Sequence, residues 1–326
     1  MMPMQAAVFH GDRRISIESA PRPVAAAGEA LLRVQRTALC GSDGKLWIKG
    51  AAVTAGHEIF GVVEQAGHPL DGRRCLVYIP VHCGACASCM RGDTHLCLTE
   101  STLVGWNRAG GYAEYVCVPD QCLLSVPDDI DDVEAPLLLD TVSTSAHGIR
   151  LARAVVPAAN DPAVLVIGAG PIGLGAIIAL QAEGYRDIAI ADLRAQRLAH
   201  AMTLGAKAHA AGSMERRFDL IVEASGAHAA RNFGMANVLP RGVLLLLGEN
   251  DAPWTVEETK PIRRKDFWML RSFYFPKHEF AANVDLLRAN RQRYRRFVDA
   301  EFPLAELPAE FARFMAGERV KPQMVC

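Results

Sequence analysis

"VLVIGAGPIG", residues 164–173, reads as a short apolar strand, a glycine turn and the first turn of a helix. Gly168, Gly170 and Gly173 stand in G-x-G-x-x-G spacing. The first glycine permits a tight turn, the second lets the backbone approach a pyrophosphate, and the third allows close helix–strand packing. Such a triplet alone is weak evidence. Here a second strand, "DIAIAD", ends in Asp192, nineteen residues beyond Gly173. That is where a carboxylate would bond the adenosine ribose hydroxyls. The pair predicts a dinucleotide site. Pro171 and Ile172, inside the turn, and Arg197, close to Asp192, complete its candidate residues. A carboxylate at 192 repels a 2′-phosphate and favours NAD over NADP, although Arg194 and Arg197 lie close by in sequence.

Outward from this turn, strands and helices alternate: "LGAIIALQAEG", "DIAIAD", "AQRLAHAMTLGA", "FDLIVEASG", "GVLLLLGEN". That alternation predicts parallel βαβ units in a doubly wound α/β domain. Upstream, residues 1–130 carry short alternating runs such as "EALLRVQRTAL", "RRCLVYIP" and "GGYAEYVCVP" between turn residues, the pattern of a β-rich domain. A single helix is predicted over "APLLLDTVSTSAHGIRLARAV", 135–155. The tail reads as helices and a last strand, "KPQMVC".

The chain has 326 residues, 22% of them charged, and a formal net charge of −1. Nothing in that balance suggests nucleic acid or an anionic membrane as partner. The uncharged run 162–182 approaches the length of a membrane span, but its glycine turn fits strand–turn–helix better. The start, "MMPMQAAVFHGDRR", lacks the pattern of a secretory leader, which points to the cytoplasm. In a reducing compartment, nine cysteines suggest metal binding or thiol chemistry rather than disulfides.

Four of them, Cys83, Cys86, Cys89 and Cys97, fall within residues 82–98 as C-x2-C-x2-C-x7-C. Four thiolates on one loop suit tetrahedral zinc and leave it no open position, so the quartet is read as structural. An iron–sulfur run of the bacterial type would place its fourth cysteine after three residues and before proline. Catalytic candidates lie elsewhere. "LCGSDGK" supplies Cys40, Ser42 and Asp43, and "AGHEIFG" supplies His57 and Glu58.

These motifs, with the four-cysteine lobe, "GGYAEY" and "GAGPIG", occur in the order found in zinc-dependent medium-chain alcohol and polyol dehydrogenases, which the chain resembles over almost its whole length. The resemblance implies a GroES-like catalytic domain over 1–141, a Rossmann domain over 142–279, and a segment 280–326 returning to the first. It implies two zinc ions, a structural one on the quartet and a catalytic one on Cys40, His57 and a third ligand seven residues before a histidine. Counting back from His147 reaches Asp140. It further makes Ser42 a proton-relay hydroxyl, Asp43 the carboxylate that orients His57, and Glu58 a glutamate able to approach the metal. Lys45 stands where many members continue the relay with histidine, and the segment "GKLWIKGAAVT" is short for the family. Trp106 and Tyr274 are expected to border the substrate.

The implied activity is reversible NAD-dependent oxidation of a secondary alcohol: a polyol, cyclitol, sugar or amino-alcohol. A threonine-type 3-hydroxy amino acid is the second substrate reading. A non-catalytic dinucleotide-binding protein that retains the fold is the contrasting one. A homodimer or homotetramer joined through Rossmann sheets is expected, with "GVLLLLGEN" as a contributor.

Overall fold

A computed structural model describes residues 2–156, 161–256 and 259–326. It divides into two compact units. The first comprises residues 1–139, 276–278 and 291–326, the second residues 140–275 and 279–290. The stretch 280–326 thus divides between residues 290 and 291.

The first unit opens with β1 (Pro3–Gly11) and β2 (Arg14–Pro21), an antiparallel pair. β3 (Glu29–Ala38) follows and is buried on alternate residues through Val34, the signature of a strand with one face on the core. A 3₁₀ turn over Gly41–Asp43 and the short helix α1 (Gly44–Lys49) lead to β4 (Glu58–Val63) and β5 (Arg74–Val77). The cysteine lobe carries α2 (Ala87–Met90), and β6 (Tyr115–Pro119) and β7 (Leu123–Ser125) close the N-terminal part.

The predicted helix 135–155 is three different structures. Ala135–Leu138 is a 3₁₀ turn, Leu139–Thr144 a π-helical turn, and only α3 (Ser145–Arg153) is α-helical. The irregularity has a packing counterpart. Gly175 of the next helix lies so close that a Cβ there would come within 2.0 Å of the Thr141 carbonyl oxygen. π-turns of this kind concentrate at functional positions, and this one carries Asp140.

In the second unit β8 (Val164–Ile167), α4 (Pro171–Ala182), β9 (Ile188–Ala191), α5 (Ala195–Thr203), β10 (Lys207–Ala208), β11 (Phe218–Glu223), α6 (His228–Asn237), β12 (Val238–Leu246) and β13 (Trp268–Arg271) follow in order. The six strands run β10-β9-β8-β11-β12-β13, all neighbours parallel. This is the doubly wound order, with its reversal at β8. β8 and β9 are apolar throughout because a parallel strand is covered on both faces. The run 162–182 is therefore β8, a turn and α4. Among the described residues no helix is long and apolar enough to cross a membrane. α7 (Phe280–Ala289) completes the unit, and Glu279 ahead of it bonds His147 at 3.0 Å.

The chain ends with α8 (Arg291–Arg295), β14 (Glu301–Pro303), α9 (Leu307–Met315) and β15 (Gln323–Val325). β15 pairs antiparallel with β3 and parallel with β14, completing a seven-strand sheet ordered β14-β15-β3-β4-β5-β7, with β6 also on β3. The predicted final strand is present, and it ties the C-terminus to the strand that leads into Cys40.

Candidate metal centres and the nucleotide turn

Cys40 follows β3 in extended conformation and caps the 3₁₀ turn that carries Ser42 and Asp43. The Ser42 hydroxyl donates to Cys40 Sγ at 3.2 Å. His57 immediately precedes β4. Gly56 before it sits at φ +92°, and a Cβ there would lie 2.7 Å from the Tyr112 ring, so only glycine fits. Asp140 follows Leu139 directly in the chain. One ligand atom from each of Cys40, His57, Glu58 and Asp140 can be chosen so that all lie within 4.8 Å of one another. His57, Glu58 and Asp140 are buried.

Buried carboxylates, a thiol and an imidazole do not gather in one small volume without a partner of opposite charge. The surroundings prepare the donors. His57 Nδ1 donates to Asp43 Oδ1 at 2.9 Å, so Nε2 carries the lone pair a metal would take. Tyr112 donates to Asp43 Oδ2 at 2.8 Å. Burial, and next the Asp43 charge, hold the Tyr112 phenol well above its ordinary pKa, so it stays a donor. Thr144 donates to Asp140 Oδ1 at 3.0 Å, fixing the carboxylate from one turn away. Glu58 Oε1 accepts from Lys321 Nζ, which also donates to the Leu39 carbonyl at 3.1 Å. The donor set fits zinc, with the harder carboxylate oxygens beside one thiolate and one imidazole.

The second group is Cys83, Cys86, Cys89 and Cys97, again within 4.8 Å. Cys83 and Cys89 sulfurs are 4.0 Å apart and those of Cys86 and Cys97 3.9 Å. Sulfurs around a tetrahedral zinc at ~2.3 Å stand about 3.8 Å from one another, so the quartet matches with almost no adjustment. Backbone N–H groups point at the sulfurs: those of Cys86 on Cys83, Leu98 on Cys86, and Glu100 and Cys83 on Cys97, at 3.2–3.4 Å. Burial works against ionising Cys97, but the N–H groups of Cys83 and Glu100 outweigh it and bring its pKa down to about 5. Burial, and then the bond its thiol donates to Cys86, push Cys89 up to about 12. A fourth thiolate needs a cation.

The glycine turn follows β8. Gly168 adopts φ +99°, and a Cβ on Gly173 would meet the Gly168 carbonyl oxygen at 1.8 Å. Around Gly170 a Cβ would meet nothing within 4 Å, so the backbone there stands open to a ligand. Pro171 and Ile172 form the first residues of α4, and the Ile172 carbonyl accepts from Ser145 Oγ. Asp192 is brought to this turn: its Oδ2 accepts from Ala169 N–H at 2.7 Å and its Oδ1 from Arg194 N–H at 2.8 Å. Burial lowers the Arg197 pKa, with the Asp192 charge opposing it.

Trp106 lies against the first metal group, its ring 5.8 Å from that of His57 and tilted by 34°. Tyr274, by contrast, is buried 4.6 Å from Phe275 in an aromatic run. Sequence reasoning missed Tyr112, Thr144 and Lys321 as supports. Tyr112 lies in a quoted motif, but nothing local marks it as a partner of Asp43, 69 residues away.

A thiolate quartet, a mixed cysteine–histidine–carboxylate group and a doubly wound sheet with its glycine turn together define a metal-dependent dinucleotide dehydrogenase. Residues 26–128 match the alcohol dehydrogenase GroES-like domain. L-threonine 3-dehydrogenase of Rhizobium johnstonii is 30% identical over 271 residues, 76% of either chain. The alcohol dehydrogenase TADH of Thermus sp. ATN1 superposes with a TM-score of 0.89 at 27% identity, covering 99% of this chain and 100% of that one. A short chain alcohol dehydrogenase of E. coli CFT073, complexed with NADH, shares the fold at a TM-score of 0.87 and 22% identity, covering 99% of both. The chain belongs to the zinc-dependent medium-chain dehydrogenase/reductase family, with alcohol, polyol and threonine dehydrogenases among its members.

Proposed function

We propose that the protein oxidises a secondary alcohol to the ketone, reversibly, by hydride transfer to NAD. The observation that carries this reading is the gathering of Cys40, His57, Glu58 and Asp140, with His57 held in one tautomer by a buried Asp43. Cys40, His57 and Asp140 would hold a zinc and neutralise its charge, and the ion, when bound, would supply Lewis acidity to a hydroxyl or carbonyl oxygen. Ser42, bonded to Cys40, takes the hydroxyl proton towards solvent. Glu58 is kept back by Lys321 and remains the reserve carboxylate. The Gly168–Gly173 turn cradles the pyrophosphate, and Asp192 bonds the ribose and disfavours a 2′-phosphate. Cys83, Cys86, Cys89 and Cys97 hold a second zinc that stiffens their lobe.

The GroES-like and Rossmann domains of the family correspond in this reading to the two units. The protein forms a homodimer or homotetramer in the cytoplasm, a reducing compartment that suits nine cysteines with no disulfide among them. β12, which contains residues 242–246 of "GVLLLLGEN", is paired on both sides and is not an edge of the sheet. β13 is one of the two edge strands, with β10 at the other end, and Trp268 and Met269 on it are 54% and 50% exposed.

The test is NADH formation across a panel of polyols, sugars, amino-alcohols and hydroxy acids, with the wild type and His57→Ala. Turnover that His57→Ala abolishes is expected. A metal-loaded wild type that acts on no alcohol and no ketone would sink the proposal and leave a non-catalytic dinucleotide binder. A 3-hydroxy amino acid is the second substrate reading, favoured by the name of the relatives at 30% identity.

A further inference from the structure

β11 ends in Glu223, a fully buried carboxylate that the chemistry of the metal group does not use. One of its oxygens accepts three hydrogen bonds from the residues that follow. They come from Ser225 N–H at 2.7 Å, the Ser225 hydroxyl at 2.6 Å and Gly226 N–H at 2.9 Å. The other oxygen faces Arg231 Nε at 3.6 Å, a charge contact rather than a hydrogen bond. Arg231, itself buried, donates to the Gly248 carbonyl at 3.1 Å. A buried carboxylate persists only where such partners offset its lost hydration. Here the set of partners joins the chain's exits from β11 and β12.

Those exits stand against the glycine turn. β8 lies between β9 and β11 in the sheet, and Ala224 N–H donates to the Ile167 carbonyl at 2.8 Å. A Cβ on Gly168 would come within 3.0 Å of the Ser225 nitrogen, and one on Gly248 within 2.0 Å of the Gly226 nitrogen. Backbone therefore packs on backbone from β8 through β11 to β12, with no side chain between to absorb a shift. Asn250 adds a bond to the Gly226 carbonyl at 2.8 Å. On its other flank the turn is held by Asp192, which accepts from Ala169 N–H. The turn is gripped from both neighbouring strands, each time by a carboxylate.

We propose that Glu223, its charge balanced by Arg231, is a positioning residue of the dinucleotide site. By fixing Ser225 and Gly226 against Gly168 it sets the place of the turn, and with it the affinity for the cofactor's pyrophosphate. The inference rests on the dinucleotide reading of that turn. Glu223 acts through the backbone and not on the cofactor itself. Three donors converge on one oxygen, so the reach of the side chain decides the effect more than its charge.

The experiment compares wild type with Glu223→Asp, Glu223→Gln and Ser225→Ala. NADH binding is read by fluorescence, ADP-ribose binding by calorimetry, and the folded fraction by thermal unfolding. Glu223→Asp keeps the charge but gives up roughly 1.5 Å of reach. It is expected to weaken NADH and ADP-ribose about tenfold or more in protein that is folded. Glu223→Gln keeps an acceptor at the same reach and is expected to lose no more than about threefold. In turnover, the rise in KM for NAD caused by Glu223→Asp exceeds any change in kcat. A purely structural role lowers the melting temperature and leaves the affinities of the folded protein alone. Should Glu223→Asp fail to fold, Ser225→Ala carries the test, since it removes one of the three donors at an exposed residue. Its expected loss is about threefold for both ligands. Wild-type affinities in the folded Glu223→Asp protein, or in Ser225→Ala where that is the test, overturn the proposal. So does a Glu223→Gln protein that loses as much as Glu223→Asp. A wild type that binds neither NADH nor ADP-ribose overturns the dinucleotide reading itself.

Discussion

His57 Nδ1 and Asp43 Oδ1 lie 2.9 Å apart, and neither side chain is open to solvent. A buried carboxylate that accepts from a ring N–H fixes both the tautomer and the angle of the imidazole. Asp43→Asn is expected to weaken zinc retention or activity about 10- to 100-fold, measured by chelator competition and by turnover. Tyr112→Phe removes the other donor to Asp43 and should cost about 1–3 kcal/mol in urea unfolding. An Asp43→Asn protein with wild-type zinc affinity and kcat would remove the orienting role.

Lys321 and Glu58 form an ion pair with only 1% and 0% of their side chains exposed. Deleting one partner strands the other charge in a dry interior. Lys321→Met should destabilise the fold by about 3–5 kcal/mol, and Lys321→Met/Glu58→Gln should recover part of the loss. Equal denaturation midpoints for wild type and Lys321→Met would contradict the pairing.

Gly173→Ala places a methyl group 1.8 Å from the Gly168 carbonyl oxygen, which is backbone and cannot swing aside. The turn must shift. The expected result is loss of NADH fluorescence enhancement, with destabilisation of about 3 kcal/mol. Undiminished NADH affinity in this variant would argue against the turn as the dinucleotide site.

For the quartet, Cys86→Ser should halve the zinc content and lower the melting temperature before it touches hydride transfer. The comparison is metal analysis and thermal unfolding against kcat on the surviving folded fraction. A stable variant impaired only in the chemical step would reassign the lobe.

Glu310 on α9 accepts from Arg319 and Arg313, both at 2.9 Å. The Arg319 bond is the largest influence; burial opposes it, and the net effect lowers the carboxyl below its ordinary 4.5. A carboxyl depressed in the folded state contributes stability that is complete above the unfolded value. That contribution disappears as pH falls through the lower folded value. The melting temperature should therefore decline between roughly pH 5 and 3, and Glu310→Gln should decline less over the same range. Parallel acid limbs in the two proteins would refute it.

Much of the site was legible because its signals are local. Gly168, Gly170, Gly173 and Asp192 fall within one βαβ unit, and the four lobe cysteines within fifteen residues, so spacing alone predicts that they meet. Cys40, His57 and Asp140 span a hundred residues, and only the order of several motifs joined them. The continuous helix over 135–155 was misread because apolar periodicity does not register a π-turn. That irregularity accompanies the close approach of Gly175 to Thr141, a contact made elsewhere in the chain. The place of "GVLLLLGEN" within the parallel sheet was not legible for a related reason. The apolar run of "GVLLLLGEN" reflects an interior strand, and the edge next to it belongs to the less apolar β13.

The sequence by itself determined the βαβ order, the chemistry of both donor sets and the position of the glycine turn, since these depend on residue type and short-range spacing. The tertiary structure alone decided which groups tune them. Tyr112 reaches Asp43 across 69 residues, Lys321 reaches Glu58 across 263, and Trp106 lies beside both Lys45 and His57. Contacts of that length arise when strands such as β3, β4 and β15 pair and stack their side chains, and no local pattern encodes them.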